Sequence, residues 1–97
     1  MNQAQMMRLR KMQKEMMEAQ ERLEQTVFTG TAGGGVVKVS VKGNHEVVSV
    51  EIDEEAAKDD IEMVQDMIVL AMNDANKKIE AETQKSLGGF GAGMGLF

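Results

Sequence analysis

The sequence predicts an α+β subunit in which two long helices flank a three-stranded antiparallel meander. Three observations carry this reading. Residues 26–53, TVFTGTAGGGVVKVSVKGNHEVVSVEID, are the only stretch with strand character, divided by Gly33-Gly34-Gly35 and by Gly43-Asn44. Residues 3–25 hold good helix formers with neither Gly nor Pro. Residues 60–86 carry apolar side chains at helical spacing.

In the first helix, Leu9, Met12, Met16, Ala19 and Leu23 recur at spacings of three and four, forming a short heptad-like seam. Lys11–Glu15, Lys14–Glu18 and Glu18–Arg22 are i,i+4 pairs of opposite charge on the wetter faces. Met6, Met7 and Met17 lie outside the seam and point to a second apolar contact.

In the meander, Gly43-Asn44 has the chemistry of a two-residue hairpin loop. That loop pairs Lys42 with His45, Val39 with Val48 and Val37 with Val50. Val37, Val39 and Val41 then share an apolar face with Val48, Val50 and Ile52, and Lys38, Ser40 and Lys42 share the other face with Val47, Ser49 and Glu51. For the first strand, a three-residue glycine loop puts Val27 and Thr29 inward, whereas a two- or four-residue loop puts Phe28 there. Phe28 is preferred as the larger apolar side chain.

Beyond the meander, residues 53–57 read as a short helical turn. Asp59-x-x-Glu62 has capping-box spacing for the second long helix. Ile61, Val64, Ile68, Ala71, Ala75 and Ile79 form its main stripe. Met63, Met67, Val69, Leu70 and Met72 widen the apolar surface enough to need two partners, the sheet and another subunit. Residues 1–87 therefore form one domain, and 88–97, GGFGAGMGLF, a flexible glycine-rich tail with Phe90, Met94, Leu96 and Phe97 available to a protein partner.

Composition narrows the function. Ninety-seven residues make one small domain, marginal as a lone monomer. The absence of Cys fits a reducing compartment, and no segment has the apolar length of a membrane span. With no Trp or Tyr and three Phe, there is no base-stacking platform. Ten Met give adaptable packing. The lone His45 has no nucleophile beside it and no metal-ligand spacing, and Gly33-Gly34-Gly35 joins two strands without the Lys-Ser/Thr of a phosphate loop. The chain reads as a non-enzyme without cofactor or metal.

Net charge is −5, yet the charge is segregated. Residues 1–14 hold Arg8, Arg10, Lys11 and Lys14 and no acid, a local charge of +4. Residues 51–66 hold Glu51, Asp53, Glu54, Glu55, Asp59, Asp60, Glu62 and Asp66 against Lys58, a local charge of −7. Lys77, Lys78 and Lys85 lie toward the end of the second helix, and Lys38 and Lys42 on one sheet face. In a dimer, two basic helix ends can straddle a polyanion and neutralise several phosphates together.

The run GTAGGGVVKVSVKGNHEVVSVEID, the following DD-x-E-M-x-x-D-M-I-x-x-A-x-N-D-A and the first-helix run MMRLRKMQKEMMEAQERL resemble the YbaB/EbfC family of bacterial nucleoid-associated proteins over nearly the whole chain. The resemblance implies an intertwined homodimer with projecting helical arms, located in the cytoplasm on the nucleoid. Its partner would be duplex DNA, bound with low sequence selectivity, with effects on compaction, transcription or recombination and repair. By position it assigns DNA contact to Arg8, Arg10, Lys11, Lys14, Lys77 and Lys78. The dimer interface expected from the apolar pattern is Met63, Met67, Leu70 and Met72. The net negative charge departs from a simple polyanion binder and predicts salt-sensitive binding of modest affinity. The alternative reading is a protein–protein adaptor that uses its Met-rich helices.

Overall fold

A computed structural model describes the backbone of residues 2–94 and the side chains of residues 2–86. The order is α1 (Gln3–Gln25), β1 (Val27–Ala32), β2 (Val37–Lys42), β3 (Val47–Ile52), α2 (Glu54–Asp59) and α3 (Ile61–Met94). The three strands form one antiparallel sheet in the order β1-β2-β3. The α+β architecture expected from the sequence is thus the one observed. α3 runs on past Ser86, where the glycines predict its end. The tail set apart at 88–97 has its side chains, and residues 95–97 entirely, outside the described residues. No helix among the described residues is long and apolar enough to cross a membrane.

Each helix start has a local cause. Asn2 caps α1: its side chain accepts from Gln5 N at 2.8 Å, and the Gln5 side chain accepts from Asn2 N at 3.3 Å, a reciprocal capping box. Asp53 caps α2 by accepting from Ala56 N. The capping box expected at Asp59 and Glu62 is displaced by one residue. Asp59 is itself the last residue of α2, so Asp60, with a non-helical backbone (φ −153°, ψ 89°), takes the cap and accepts from Met63 N at 3.0 Å. One residue thereby ends α2 and starts α3.

Phe28 does face inward. A four-residue loop, Gly33–Val36, joins β1 to β2, so Phe28, Gly30 and Ala32 oppose Val41, Val39 and Val37. Gly33, Gly34 and Gly35 all have positive φ.

The second hairpin departs from the expected register. Its loop holds three residues, because His45 takes a left-handed conformation (φ 72°) after a turn closed by His45 N to Lys42 O. Gly43 N and Asn44 N are committed to Thr26 O and Glu24 O, which fasten the hairpin tip to the end of α1. Val48 is then extruded as a bulge between the pairs Val41–Val47 and Ser40–Ser49. The two single-residue shifts add, so Val39 opposes Val50 and Val37 opposes Ile52. Because the total shift is even, Val50 and Ile52 keep the face expected for them.

The core lies between the sheet and α3: Val37, Val39, Val41, Val64, Ala71, Ala75 and Ile79 are buried, with Phe28, Ala32, Met67, Ile68 and Met72 packed around them. Ile61, expected in the helix stripe, stays exposed at the α2–α3 junction. Of the α1 seam, only Leu23 is buried; Met16 and Ala19 are half-buried, and Leu9 and Met12 are exposed. Most of α1 projects from the body. The molecule measures 68 × 21 × 15 Å, with a radius of gyration of 18.9 Å against about 13 Å for a compact chain of this size.

Helix and sheet meet most closely at Gly30. A side chain there would collide with the carbonyl oxygen of Ala71 and the backbone of Ala75. Gly30→Val is therefore expected to cost about 3 kcal/mol or abolish folding, because the obstructing atoms are backbone and cannot swing away. Gly34→Ala meets open space and only a positive φ, so it should cost about 1 kcal/mol. Urea titrations of both variants check the contrast, and equal losses would contradict the packing described.

Candidate functional site

The chain ascends α1, turns through the sheet and returns along α3. Ala19, Arg22 and Leu23 meet Glu82 and Ser86 across an open hollow of about 620 Å³ that Thr26 and Phe28 also line. The N-terminal part of α1 therefore lies beyond the sheet, on the side toward the end of α3. The acidic residues of α2 and of the start of α3 lie at the opposite end. The charge segregation seen along the sequence becomes a segregation in space.

Arg8, Arg10, Lys11 and Lys14 are all exposed on this projecting helix. Arg8 and Arg10 form no ion pair among the described residues. Lys11 and Lys14 approach Glu15 and Glu18 only at 4.0 Å, with both ammonium side chains 78% exposed. Exposed pairs of this kind are worth little and exchange readily for another anion. The four cations are thus accessible, on a rigid helix clear of the acidic end.

Lys77 and Lys78 do not form an equivalent pair. Lys77 is exposed, but the ammonium of Lys78 donates to Thr29 O at 2.6 Å and lies 3.5 Å from Asp74. Asp74 in turn accepts from Thr31 N at 3.0 Å. These two α3 side chains occupy the outer backbone groups of β1, the edge that would otherwise be open to another strand. The Thr31 hydrogen bond, and then the neighbouring Lys78 and Lys77, hold the Asp74 carboxyl below its usual value near 3.8 against the opposing effect of desolvation. On the sheet, Lys42 pairs with Glu46 at 3.8 Å and Lys38 stands opposite Glu51. Neither adds to the arm cluster.

The four residues expected at a subunit interface divide. Met67 packs into the chain's own core, its side chain against the Gly33 turn, and Met72 also packs on the core. Met63 and Leu70 stay exposed, Leu70 at 60%. Three features are not foreshadowed by sequence pattern: the Asp74–Lys78 edge clamp, the exposed apolar side chains of β3, and Asn76, whose Oδ1 is buried without a hydrogen-bond partner among the described residues. Asn73, whose amide interrupts the apolar pattern of the helix, is exposed. His45 is an exposed turn residue, and no group of three or more His, Cys, Asp or Glu among the described residues could hold a metal ion.

The model of the YbaB/EbfC DNA-binding family matches residues 1–94. A nucleoid-associated protein of Lysinibacillus sphaericus (strain C3-41) is 54% identical over 70 residues, spanning 71% of this chain and 67% of its own. One from Legionella pneumophila (strain Corby) is 41% identical over 86 residues, spanning 89% of this chain and 77% of its own. Among solved structures, the uncharacterized protein HP0035 from Helicobacter pylori is similar, with a TM-score of 0.68 and 35% identity over 91% of this chain and 94% of that one.

The Asp74 clamp has a pH signature. A carboxyl whose folded value is lowered stabilises the fold above its unfolded value and loses that contribution as pH falls through the folded value. Asp74→Asn keeps an acceptor for Thr31 N but cannot titrate. Its urea midpoint should fall less than wild type's as pH drops from 5 to below about 3.8. Parallel pH profiles for the two proteins would show that the clamp contributes nothing through its charge.

Proposed function

Since the chain belongs to the YbaB/EbfC DNA-binding family, we propose that it binds duplex DNA as a homodimer, through phosphate contacts from its projecting basic helix and with low sequence selectivity. The observation that carries this reading is the placement of Arg8, Arg10, Lys11 and Lys14: all exposed, on a helix that leaves the body, at the opposite end from the acidic segment. Two copies present eight such cations on two arms.

The acidic end matters to the mechanism. The net charge of −5 gives weak long-range attraction to DNA. At physiological salt, interactions between exposed charges are screened beyond roughly 8 Å. The arm tips lie far beyond that distance from the acidic end of a 68 Å molecule, so they act locally as a cationic surface. The body, by contrast, repels the duplex, which leaves the arms to meet it. Arg8 and Arg10 can each offer a planar fork to phosphate, and Lys11 and Lys14 a point charge. The projecting helix carries no pattern of Arg, Asn and Gln suited to reading base edges in a groove. Interactions confined to phosphate position a protein without reading sequence. Lys77 is exposed and available as a further phosphate ligand; Lys78 is engaged with Thr29 and Asp74. The homodimer is supported by the exposed Leu9, Met12, Val50 and Leu70, apolar side chains that a single copy leaves in water.

Replacing Arg8, Arg10, Lys11 and Lys14 together with Gln should weaken binding about equally for unrelated duplexes. It should also flatten the dependence of log K on log salt, by roughly 0.9 for each phosphate that is no longer neutralised. His45→Ala should alter neither. Fluorescence anisotropy over a salt series checks this. A folded quadruple variant that binds with wild-type affinity and slope would refute the arm as the DNA-binding element and favour an adaptor that recognises protein.

A further inference from the structure

One apolar side chain on the arm has no place in the seam of α1. Met7 is 69% exposed, the most of any large apolar residue among those described. At about 100° per residue, Leu9, Met12 and Met16 lie about 140–200° around the helix from it, so the seam faces the other way.

Met7 stands instead on the cationic side. Lys11 is about 40° from it in one sense, Arg10 about 60° in the other, and Lys14 about 20° away but two turns nearer the body. Residues 1–14 hold no acid. Side chains on a helix lean toward its N-terminus, so Arg10 and Lys11 come forward on either side of Met7. Lys11 is held back only by Glu15, at 4.0 Å on an open surface. One unbranched apolar side chain is thus set between two accessible cations. Burying it against an apolar surface would strip water from Arg10 and Lys11 as well, a cost that only a partner supplying anions offsets. A duplex supplies them, with a row of phosphates on each bank of a groove.

Size selects the groove. An α-helix with its side chains is about 10–12 Å across; the major groove, about 12 Å wide, admits it, and the minor groove, about 6 Å wide, does not. On the floor of the major groove, the apolar group that base edges present is the C5-methyl of thymine.

We propose that Met7 touches thymine methyl groups in the major groove while Arg10 and Lys11 take phosphates on the two banks, which adds a modest preference for thymine-rich duplexes. The inference rests on the DNA-binding reading above and adds to its phosphate contacts one apolar contact with the bases. A thioether suits this task, because its flexible, polarizable chain adapts to methyl groups in different positions and demands no fixed sequence. Burial of one methyl-sized group is worth about fourfold in binding, so the preference is one of composition and selectivity stays low.

Fluorescence anisotropy tests the contact with two pairs of duplexes. The first pair shares one sequence and carries either thymine or uracil, which differ by the C5-methyl while phosphates and base pairing stay the same. The second carries either cytosine or 5-methylcytosine, which adds a methyl at the same ring position. Wild type should prefer the methylated member of each pair by about fourfold. Met7→Ala should bind both members alike with an unchanged salt slope, since no phosphate contact is removed. Met7→Leu should keep the preference. Met17→Ala should behave as wild type, because Met17, though 62% exposed, lies beside Glu18 and one turn from Glu21. Wild-type binding that ignores the methyl overturns this contact and leaves the phosphate reading intact; no binding to any duplex overturns both. A methyl preference that survives in Met7→Ala, or that disappears equally in Met17→Ala, overturns the assignment to Met7.

Discussion

The near-contact of α3 with β1 at Gly30 governs the rest of the molecule. With hydrogen in place of a side chain, the helix backbone at Ala71 and Ala75 comes down onto the strand. That approach is close enough for Asp74 and Lys78, further along the same helix, to reach over the strand and bond its outer backbone at Thr31 and Thr29. It also centres the helix over β1 and β2, which buries Val37, Val39 and Val41 and leaves β3 beyond its reach. A larger residue at position 30 would lift the helix and loosen the clamp and the core together.

The hairpin tip provides the second constraint. Gly43 backs onto the Leu23 carbonyl, and the amides of Gly43 and Asn44 bond the carbonyls of Thr26 and Glu24. The end of α1 is thereby fixed to the sheet at one point, and the helix leaves the body in a direction set by that point. Its basic residues are far from the sheet because the anchor is at the opposite end of the helix. The arm is a consequence of where the hairpin is fastened, and the charge pattern then decides what the arm can touch.

The two sheet edges illustrate how one helix assigns different roles to similar strands. On β1, an ion pair that would be worth little on an open surface is placed against backbone groups that need partners, and there it closes an edge. On β3, alternation supplies the apolar face, but no helix crosses it. The Val48 bulge lies at this edge, where bulges commonly bend a strand and end its pairing. The protected edge and the open one lie on opposite sides of a sheet only three strands wide.

Much of this was legible in the sequence because it is local. The bounds of α1, the existence of three strands, the inward Phe28 and the segregation of charge follow from composition, periodicity and turn residues. The even offset of the second hairpin preserved the faces of Val50 and Ile52 although the pairing itself differed. What the sequence did not reveal is non-local. Gly43-Asn44 has the chemistry of a two-residue loop, but its amides are drawn to Glu24 and Thr26, which lie close only in the folded chain. Lys77 and Lys78 look alike as neighbouring cations, yet one helical step of about 100° turns Lys78 onto the β1 edge and leaves Lys77 in solvent. Met63, Met67, Leu70 and Met72 form one apolar set by composition, and the orientation of α3 over the sheet sends two inward and two outward. The sequence by itself determined the order of the elements, the faces of the strand residues away from the Val47–Val48 irregularity, and the basic arm. Only tertiary structure decided which charges stay free and which apolar surface stays uncovered, because both depend on where one helix crosses a sheet whose bonded groups lie 43 and 49 residues away along the chain.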